Sequence, residues 1–259
     1  MTAAIYSYWV DPIISLAERA AATILAARAR GIETLTKPDG SPQTNADREA
    51  EAVIIAGLRT ITPHIPIVAE ESASGQAAVD PTQPFWLVDP LDGTKSFVAG
   101  VDDFSVNIGL IVNTRPVFGV IYAPALGELF WNDATHAWYR RDGATAEKIR
   151  TRQRPAAGIT LITNRTPAGA KLRNFLQPYN VVEQIRLSGA VKYGYLAMGR
   201  GDLYPRLGTT MEWDNAAGEA IVHTAGGIVT DATGAPLQYG QAHLTHHGVV
   251  GWGAPTIIS

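Results

Sequence analysis

No cysteine occurs in the 259-residue chain, and that absence removes three chemistries together. There is no thiolate nucleophile, no disulfide framework and no cysteine-ligated metal site. Charge of one sign is also scarce. With 21 Lys+Arg against 24 Asp+Glu the formal net charge is −3, so no global field draws a nucleic-acid polymer or a membrane surface. An anionic ligand has to be attracted locally, by bound cations or by a few basic side chains. Aromatic residues make up 8%, which offers no stacking platform for single strands. No apolar run is long enough to span a bilayer. Residues 20–27 are apolar but short, and Glu18, Arg19, Arg28 and Arg30 bracket them. With Asp11 and Glu18 ahead of it, this stretch lacks the layout of a signal peptide. A cytoplasmic protein is expected, and peripheral contact with an inner membrane stays open.

What the chain has is 46% hydrophobic residues, enough for one large domain or two lobes sharing a core. Asp11-Pro12 followed by an apolar run and Gly31 predicts a helix over 11–30. Residues 37–42 are turn-rich and predict a mobile loop, and Thr44 or Asn45 caps a second helix over 46–60. A short strand over 65–69 ends at Glu70-Glu71, and 72–84 is a surface loop. Strands over 104–112, 117–122 and 128–131 form an antiparallel meander. The polar stretch 140–155 marks a boundary between lobes 1–151 and 152–259. Beyond it strands (159–163, 181–187, 203–206, 226–231) alternate with helices (168–176, 191–198, 213–225). Hairpins mixed with crossovers predict a layered α/β fold with sheets between helices. Trp131 and Trp138 are expected in the core or at a subunit contact. His243, His246 and His247 are expected on the surface or in loops rather than as a zinc site.

The chemistry concentrates where the apolar run Phe85-Trp86-Leu87-Val88 meets Asp89-Pro90-Leu91-Asp92-Gly93-Thr94. Proline continues a sheet poorly, so the strand is expected to end near Asp89. Asp92 then comes from the turn, and both carboxylates converge on one point. Hard cations such as Mg²⁺ take oxygen ligands, backbone carbonyls included, so Leu91 can add its own. Gly93 permits close backbone approach. Residues 94–97 look like the first turn of a short helix, whose free N–H groups favour an oxyanion. A cation site facing an anion site points to metal-assisted chemistry on a phosphate. A solvated Asp-Gly turn explains the same residues about as well in isolation.

Further acids stand at element ends. Glu70-Glu71 closes a strand, Asp214 opens the small-residue run Asn215-Ala216-Ala217-Gly218, and Asp47 lies in the first turn of the second helix. Singly, each reads equally well as a solvated strand end or a helix-start acid.

Together, in this order, they resemble a known family. Residues 37–47 (KPDGSPQTNAD), 62–72 (TPHIPIVAEES), 86–97 (WLVDPLDGTKSF) and 201–218 (GDLYPRLGTTMEWDNAAG) are similar to the inositol monophosphatase superfamily of lithium-sensitive, magnesium-dependent phosphatases. Lys95 and the Leu203-Tyr204-Pro205-Arg206 run resemble its 3′(2′),5′-bisphosphate nucleotidase branch, of the bacterial sulfate-assimilation type.

The resemblance implies an αβαβα sandwich and a set of roles. Glu70, Asp89 and the Leu91 carbonyl would hold one Mg²⁺. Asp89, Asp92 and Asp214 would hold a second, and a third ion would join with the phosphate. Glu70 and Thr94 would orient the attacking water, with Asp47 accepting from the Thr94 hydroxyl. Gly93 and Thr94 amides would receive the phosphate, with Glu70, Leu91, Asp92 and Asp214 bordering it. Lys192 and Arg206 are the candidates for a second phosphate. The implied activity is conversion of adenosine 3′,5′-bisphosphate to AMP and phosphate by in-line attack of water. Inositol monophosphate is the alternative substrate, and a catalytically silent metal or nucleotide sensor the alternative of another class. The partner is thus a small phosphorylated nucleotide, and a homodimer is compatible with the chain. Glu212 adds a carboxylate that faces either a sugar hydroxyl or solvent.

Overall fold

Two sheets and the helices between and around them follow from where the apolar side chains point. The structure is a computed structural model describing residues 3–37, 40–73, 79–166 and 169–254. In chain order its elements are α1 (Ala3–Arg30), β1 (Thr34–Thr36), β2 (Pro42–Thr44), α2 (Asn45–Ile61), β3 (Ile67–Ala69), β4 (Phe85–Asp92), α3 (Thr94–Val98), β5 (Ser105–Val112), β6 (Arg115–Ala123) and β7 (Glu128–Asn132). There follow β8 (Ala137–Arg141), β9 (Glu147–Ile149), β10 (Ile159–Thr163), α4 (Ala170–Leu176), β11 (Val181–Arg186), α5 (Val191–Ala197), β12 (Leu203–Met211), α6 (Glu212–Thr224), β13 (Ile228–Asp231) and β14 (Thr245–Trp252).

The first sheet runs β3-β4-β5-β6-β7-β8-β9. Alternate residues of a strand face opposite sides. Trp86 and Val88 of β4 join Leu16, Ile24, Ile54 and Leu58 of α1 and α2. Phe85 and Leu87 join Val191, Leu196, Ala216 and Ile221 of α5 and α6. A strand covered on both faces has to be apolar throughout, which is why 85–88 is an unbroken run. The second sheet runs β11-β10-β12-β14-β13. Its inner face gives Ile162, Tyr204, Val229 and Val249 to the cluster that holds α5 and α6. Its outer face packs Leu161, Leu203 and Val250 against Phe175 and Leu176 of α4. The layers are therefore α, β, α, β, α, as the resemblance implied.

Helix α6 lies unusually close to the first sheet. Gly109 and Gly119 are paired across β5 and β6. A Cβ on Gly109 would stand 2.8 Å from the Ala216 Cβ, and one on Gly119 would collide with the Ala217 backbone. On its other side Gly218 abuts the Tyr193 ring of α5.

Several elements depart from expectation. Helix α1 begins at Ala3, with Pro12 inside it. An interior proline costs about 3 kcal/mol, offset here by docking of Trp9 and Val10 on the core before it and burial of Ile13, Leu16 and Ala17 after it. β4 runs through Pro90 to Asp92 instead of stopping near Asp89. The loop expected over 37–42 connects β1 and β2, which pair as a hairpin on either side of it, with only Pro42 taken into a strand. Pro38 and Asp39 of that loop, residues 74–78 of the next one, and Ala168 lie outside the described residues. β8 and β9 extend the sheet toward and into the polar stretch taken as a boundary. There Trp138 stacks on Trp131 with centroids 6.3 Å apart, a cross-strand pair that covers the sheet's margin. β12 continues to Met211, and β14 was not anticipated. His246 is on β14 and buried, not on the surface, because its nitrogens are both satisfied internally.

The notch under α6 leads to a measurable consequence. Overpacking a core site costs about 1–3 kcal/mol, so Gly119→Ala is expected to lower the melting temperature by roughly 3–10 °C. An unchanged melting curve would mean that α6 can ride higher on the sheet.

Candidate active site

The two aspartates of the hexapeptide share a face because the strand is bulged. Asp89 pairs with Asn107 and Asp92 with Ser105, so β4 advances three residues while β5 advances two. In a regular strand residues three apart face opposite sides. The extra residue at Pro90-Leu91 returns both carboxylates to the α6 side, and a bulge is where a sheet tolerates proline. Leu91 turns its side chain into the α1–α2 core while its N–H donates to Asp89 Oδ1 at 3.0 Å. Asn107 donates to Asp92 Oδ2 at 3.3 Å. Gly93 has φ +92°, a conformation that favours glycine, and it opens α3.

Thr44 caps α2, and Asp47 in its first turn completes the capping box and reaches the hexapeptide. Its Oδ2 accepts from the Thr44 N–H at 2.8 Å and the Thr44 hydroxyl at 2.5 Å. Thr94 Oγ1 lies 3.0 Å from both Asp47 Oδ1 and the Leu91 carbonyl. The single hydroxyl proton is directed inward to these acceptors, so the Thr94 lone pairs remain able to accept from a water.

Glu70 follows β3, its N–H bonded to the Val88 carbonyl at 3.1 Å. Its carboxylate accepts from Lys37 Nζ at 2.7 Å, and the same ammonium reaches Glu71. Glu71 turns toward Lys37 and Gln43 on the hairpin side. Asp214 sits in the first turn of α6, where Oδ2 accepts from Thr210 Oγ1 at 2.5 Å and the Met211 N–H at 3.1 Å.

Electrostatics tie these groups into one site. Burial raises the Asp89 carboxyl well above its usual range, and Glu70, Asp92 and Asp214 push it further. Glu70 rises to about 7, through burial first and then Glu71 and Asp214, against the pull of Lys37. Asp92 rises to about 6 through burial and Asp214, resisted by Lys192 and Arg206. Lys192 is lowered to about 8 by burial. It is 4% exposed and beside a cavity of about 30 Å³ shared with Asp92, Tyr193, Arg206 and Asp214. The Arg206 Nε is buried without a hydrogen-bond partner among the described residues.

The structure thus gathers Asp47, Glu70, Asp89, Leu91, Asp92, Gly93, Thr94 and Asp214 at one end of the first sheet, with Lys192 and Arg206 against Asp92 and Asp214. Among the described residues no three His, Asp or Glu side chains stand in ligating geometry. Glu70 is held by Lys37 and Asp214 by Thr210. The donor set nonetheless fits a hard divalent cation: it is all oxygen, mostly carboxylate, and its mutual repulsion is what a cation would relieve. Glu212 faces neither sugar nor solvent. It is fully buried, and its oxygens accept from the Gly240 and Gln241 N–H groups at 2.7 and 3.0 Å. Sequence reasoning missed Lys37, Asn107 and Thr210 as site neighbours. Asn107 alone carried a signal, as a polar residue inside a strand of buried apolar ones.

The Inositol monophosphatase family matches residues 6–251. The chain belongs to the inositol monophosphatase family. This family member is 37% identical to the 3′(2′),5′-bisphosphate nucleotidase CysQ of Escherichia coli O157:H7, over 89% of this chain and 93% of that one. It is 34% identical to the Nus factor SuhB of Pasteurella multocida, over 96% and 94%. Among solved structures, CysQ from Bacteroides thetaiotaomicron superposes with a TM-score of 0.78 at 29% identity, over 94% of this chain and 96% of that one. An IMPase of Thermotoga maritima gives 0.76 at 26% identity, over 94% and 91%. No helix among the described residues is long and apolar enough to cross a membrane.

Behind the site, Glu219 of α6 is 1% exposed and accepts from the Tyr239 hydroxyl at 2.6 Å. Burial raises it to about 7, against the Tyr239 bond and Arg115. The folded state keeps this proton up to about pH 7, whereas the unfolded chain releases it near its ordinary value. Stability from this group is therefore full below about pH 4.5 and declines as pH rises toward and through about 7. Glu219→Gln is expected to melt with a shallower decline than wild type between pH 5 and 8. Parallel curves would remove Glu219 as a source of the slope.

Proposed function

We propose that this chain is a Mg²⁺-dependent phosphomonoesterase that hydrolyses adenosine 3′,5′-bisphosphate to AMP and phosphate. The observation that carries the proposal is the buried carboxylate cluster set beside the Thr94–Asp47 hydrogen bond. The similarity to nucleotidases named CysQ supports the choice of nucleotide.

Glu70, Asp89, the Leu91 carbonyl, Asp92 and Asp214 would hold two Mg²⁺, with a third joining at turnover. When bound, the ions supply Lewis acidity and cancel the charge of the cluster and the substrate. The chain's own residues do the rest. Asp47 takes the Thr94 hydroxyl proton in a hydrogen bond, which leaves the Thr94 oxygen to accept from water and aim it at phosphorus. Glu70, a carboxylate of the same cluster, would draw the second proton of that water. Gly93 and Thr94 present backbone N–H groups to the phosphate. As the water oxygen bonds to phosphorus, the bond to the ribose 3′ oxygen breaks and that oxygen takes a proton to become the AMP hydroxyl. Arg206, whose Nε has no partner among the described residues, would receive the second phosphate. Lys192 is enclosed beneath Asp92 and acts on it through its field. Residues 1–151 and 152–259 serve as two lobes, the second supplying Asp214, Lys192 and Arg206.

The test is phosphate release from adenosine 3′,5′-bisphosphate, inositol 1-phosphate, fructose 1,6-bisphosphate and histidinol phosphate. The bisphosphate nucleotide is expected to have the highest kcat/KM. If inositol 1-phosphate leads, the substrate assignment is wrong and the phosphatase assignment stands. Asp92→Ala should abolish turnover, and residual full activity would sink the site as drawn. Thr94→Ala should cut kcat roughly 100-fold with little change in KM, since it aligns water rather than substrate. A pure KM effect would move Thr94 to binding. Li⁺ should inhibit at Mg²⁺ concentrations that support turnover, by taking one cation position; insensitivity would count against the ligand set.

A further inference from the structure

One buried histidine has no part in the chemistry above, yet faces the helix that carries Asp214. His246 of β14 is 4% exposed and lies opposite Thr210 of β12. Its Nε2 is 2.9 Å from the Gln238 carbonyl oxygen. A carbonyl only accepts, so Nε2 carries the proton, and in the neutral ring Nδ1 is an acceptor. Nδ1 lies 3.0 Å from Asn215 Nδ2, which donates to it and also to the Met211 carbonyl at 2.8 Å. Both neighbours of Nδ2 are acceptors, which fixes the amide orientation. Asn215 Oδ1 then accepts from the Tyr193 hydroxyl at 2.8 Å. Every link has one donor and one acceptor, so the chain from Gln238 to Tyr193 has a single polarity. Tyr239 packs its ring edge-on against His246 at 4.9 Å, and its hydroxyl is committed to Glu219. That side therefore offers no competing partner.

The far end of this chain reaches the site. Asn215 and Tyr193 line the small cavity with Asp92, Arg206 and Asp214. Asn215 directly follows Asp214, and the Thr210 that binds Asp214 Oδ2 is the residue opposite His246. We propose that His246, as its Nε2–H tautomer, is a positioning residue that locks Asn215 and the first turn of α6 so that Asp214 faces Asp92. This rests on the reading of Asp92 and Asp214 as cation ligands. A rigid ring with a donor on one edge and an acceptor on the other spans Gln238 and Asn215 at fixed separation, which a flexible side chain does not.

The experiment is Mg²⁺ titration by calorimetry without substrate, alongside melting curves and turnover. His246→Gln keeps a donor toward Gln238, but its amide oxygen no longer stands at the Nδ1 position that accepts from Asn215. His246→Phe loses both, and Asn215→Leu breaks the chain from the other end. All three are expected to weaken Mg²⁺ binding roughly 10–100-fold. Turnover should fall at low Mg²⁺ and recover as Mg²⁺ is raised, with substrate KM unchanged. His246→Asn, which keeps an acceptor near the Nδ1 position but no reach to Gln238, should recover part of the affinity lost in His246→Phe. If His246→Phe does not fold, the near-isosteric His246→Gln decides. Wild-type binding with equally tight binding by folded His246→Gln and Asn215→Leu overturns the inference alone. A wild type that binds no Mg²⁺ overturns the reading of the site and this inference with it.

Discussion

The distance between α6 and the first sheet fixes where everything chemical lies. Two glycines paired across β5 and β6 open a notch, and Ala216-Ala217 settle into it with no room for a Cβ beneath. The approach is set by backbone, which cannot swing aside like the end of a flexible side chain. Because Asp214 stands two residues before Ala216 on the same helix, lowering α6 into the notch brings its carboxylate toward Asp89 and Asp92. Asp89 feels Asp214 as one of its neighbouring charges, although the two come from opposite halves of the chain. Gly218 and Tyr193 extend the same packing to α5, and thereby place Lys192. A core constraint and a site constraint are here the same contact.

Much of the site could be read in the sequence because its acids interrupt apolar runs at element ends. Glu70 ends β3, Asp89 breaks the run 85–88, and Asp214 heads a run of small residues that only a tightly packed helix needs. What could not be read is how a three-residue spacing brings Asp89 and Asp92 together. Proline was a sound reason to end the strand. The structure instead absorbs it in a bulge, and pairing with β5 is the information that decides between the two. Similar reasons hid the other departures. Pro12 looks like a helix start unless one knows that Trp9 docks on Trp86, with ring centroids 6.5 Å apart. β14 carries two adjacent histidines that resemble loop residues until Asn215 and Gln238 are seen to satisfy one of them. Glu212 looked like a spare acid because its partners, Gly240 and Gln241, are backbone groups 28 and 29 residues away.

A chain of net charge −3 that collects four carboxylates in one cleft works against the binding of a phosphate unless positive charge is brought in. The fold contributes three cations of its own, each with a different reach. Lys37 spans Glu70 and Glu71 from the hairpin side. Lys192 is walled in beneath Asp92, close enough for Asp92 to resist the fall of its pKa. Of these three cations, Arg206 has a buried donor, Nε, with no partner among the described residues. Fixed cations stand at the margins, while Asp89 at the centre is raised by burial first and then by Glu70, Asp92 and Asp214. That asymmetry separates two tasks. The margins can hold an anion by direct contact. On the proposed reading the centre, where carboxylates crowd one another, is where divalent charge would relieve most repulsion, and it is there that Thr94 is held with its lone pairs free.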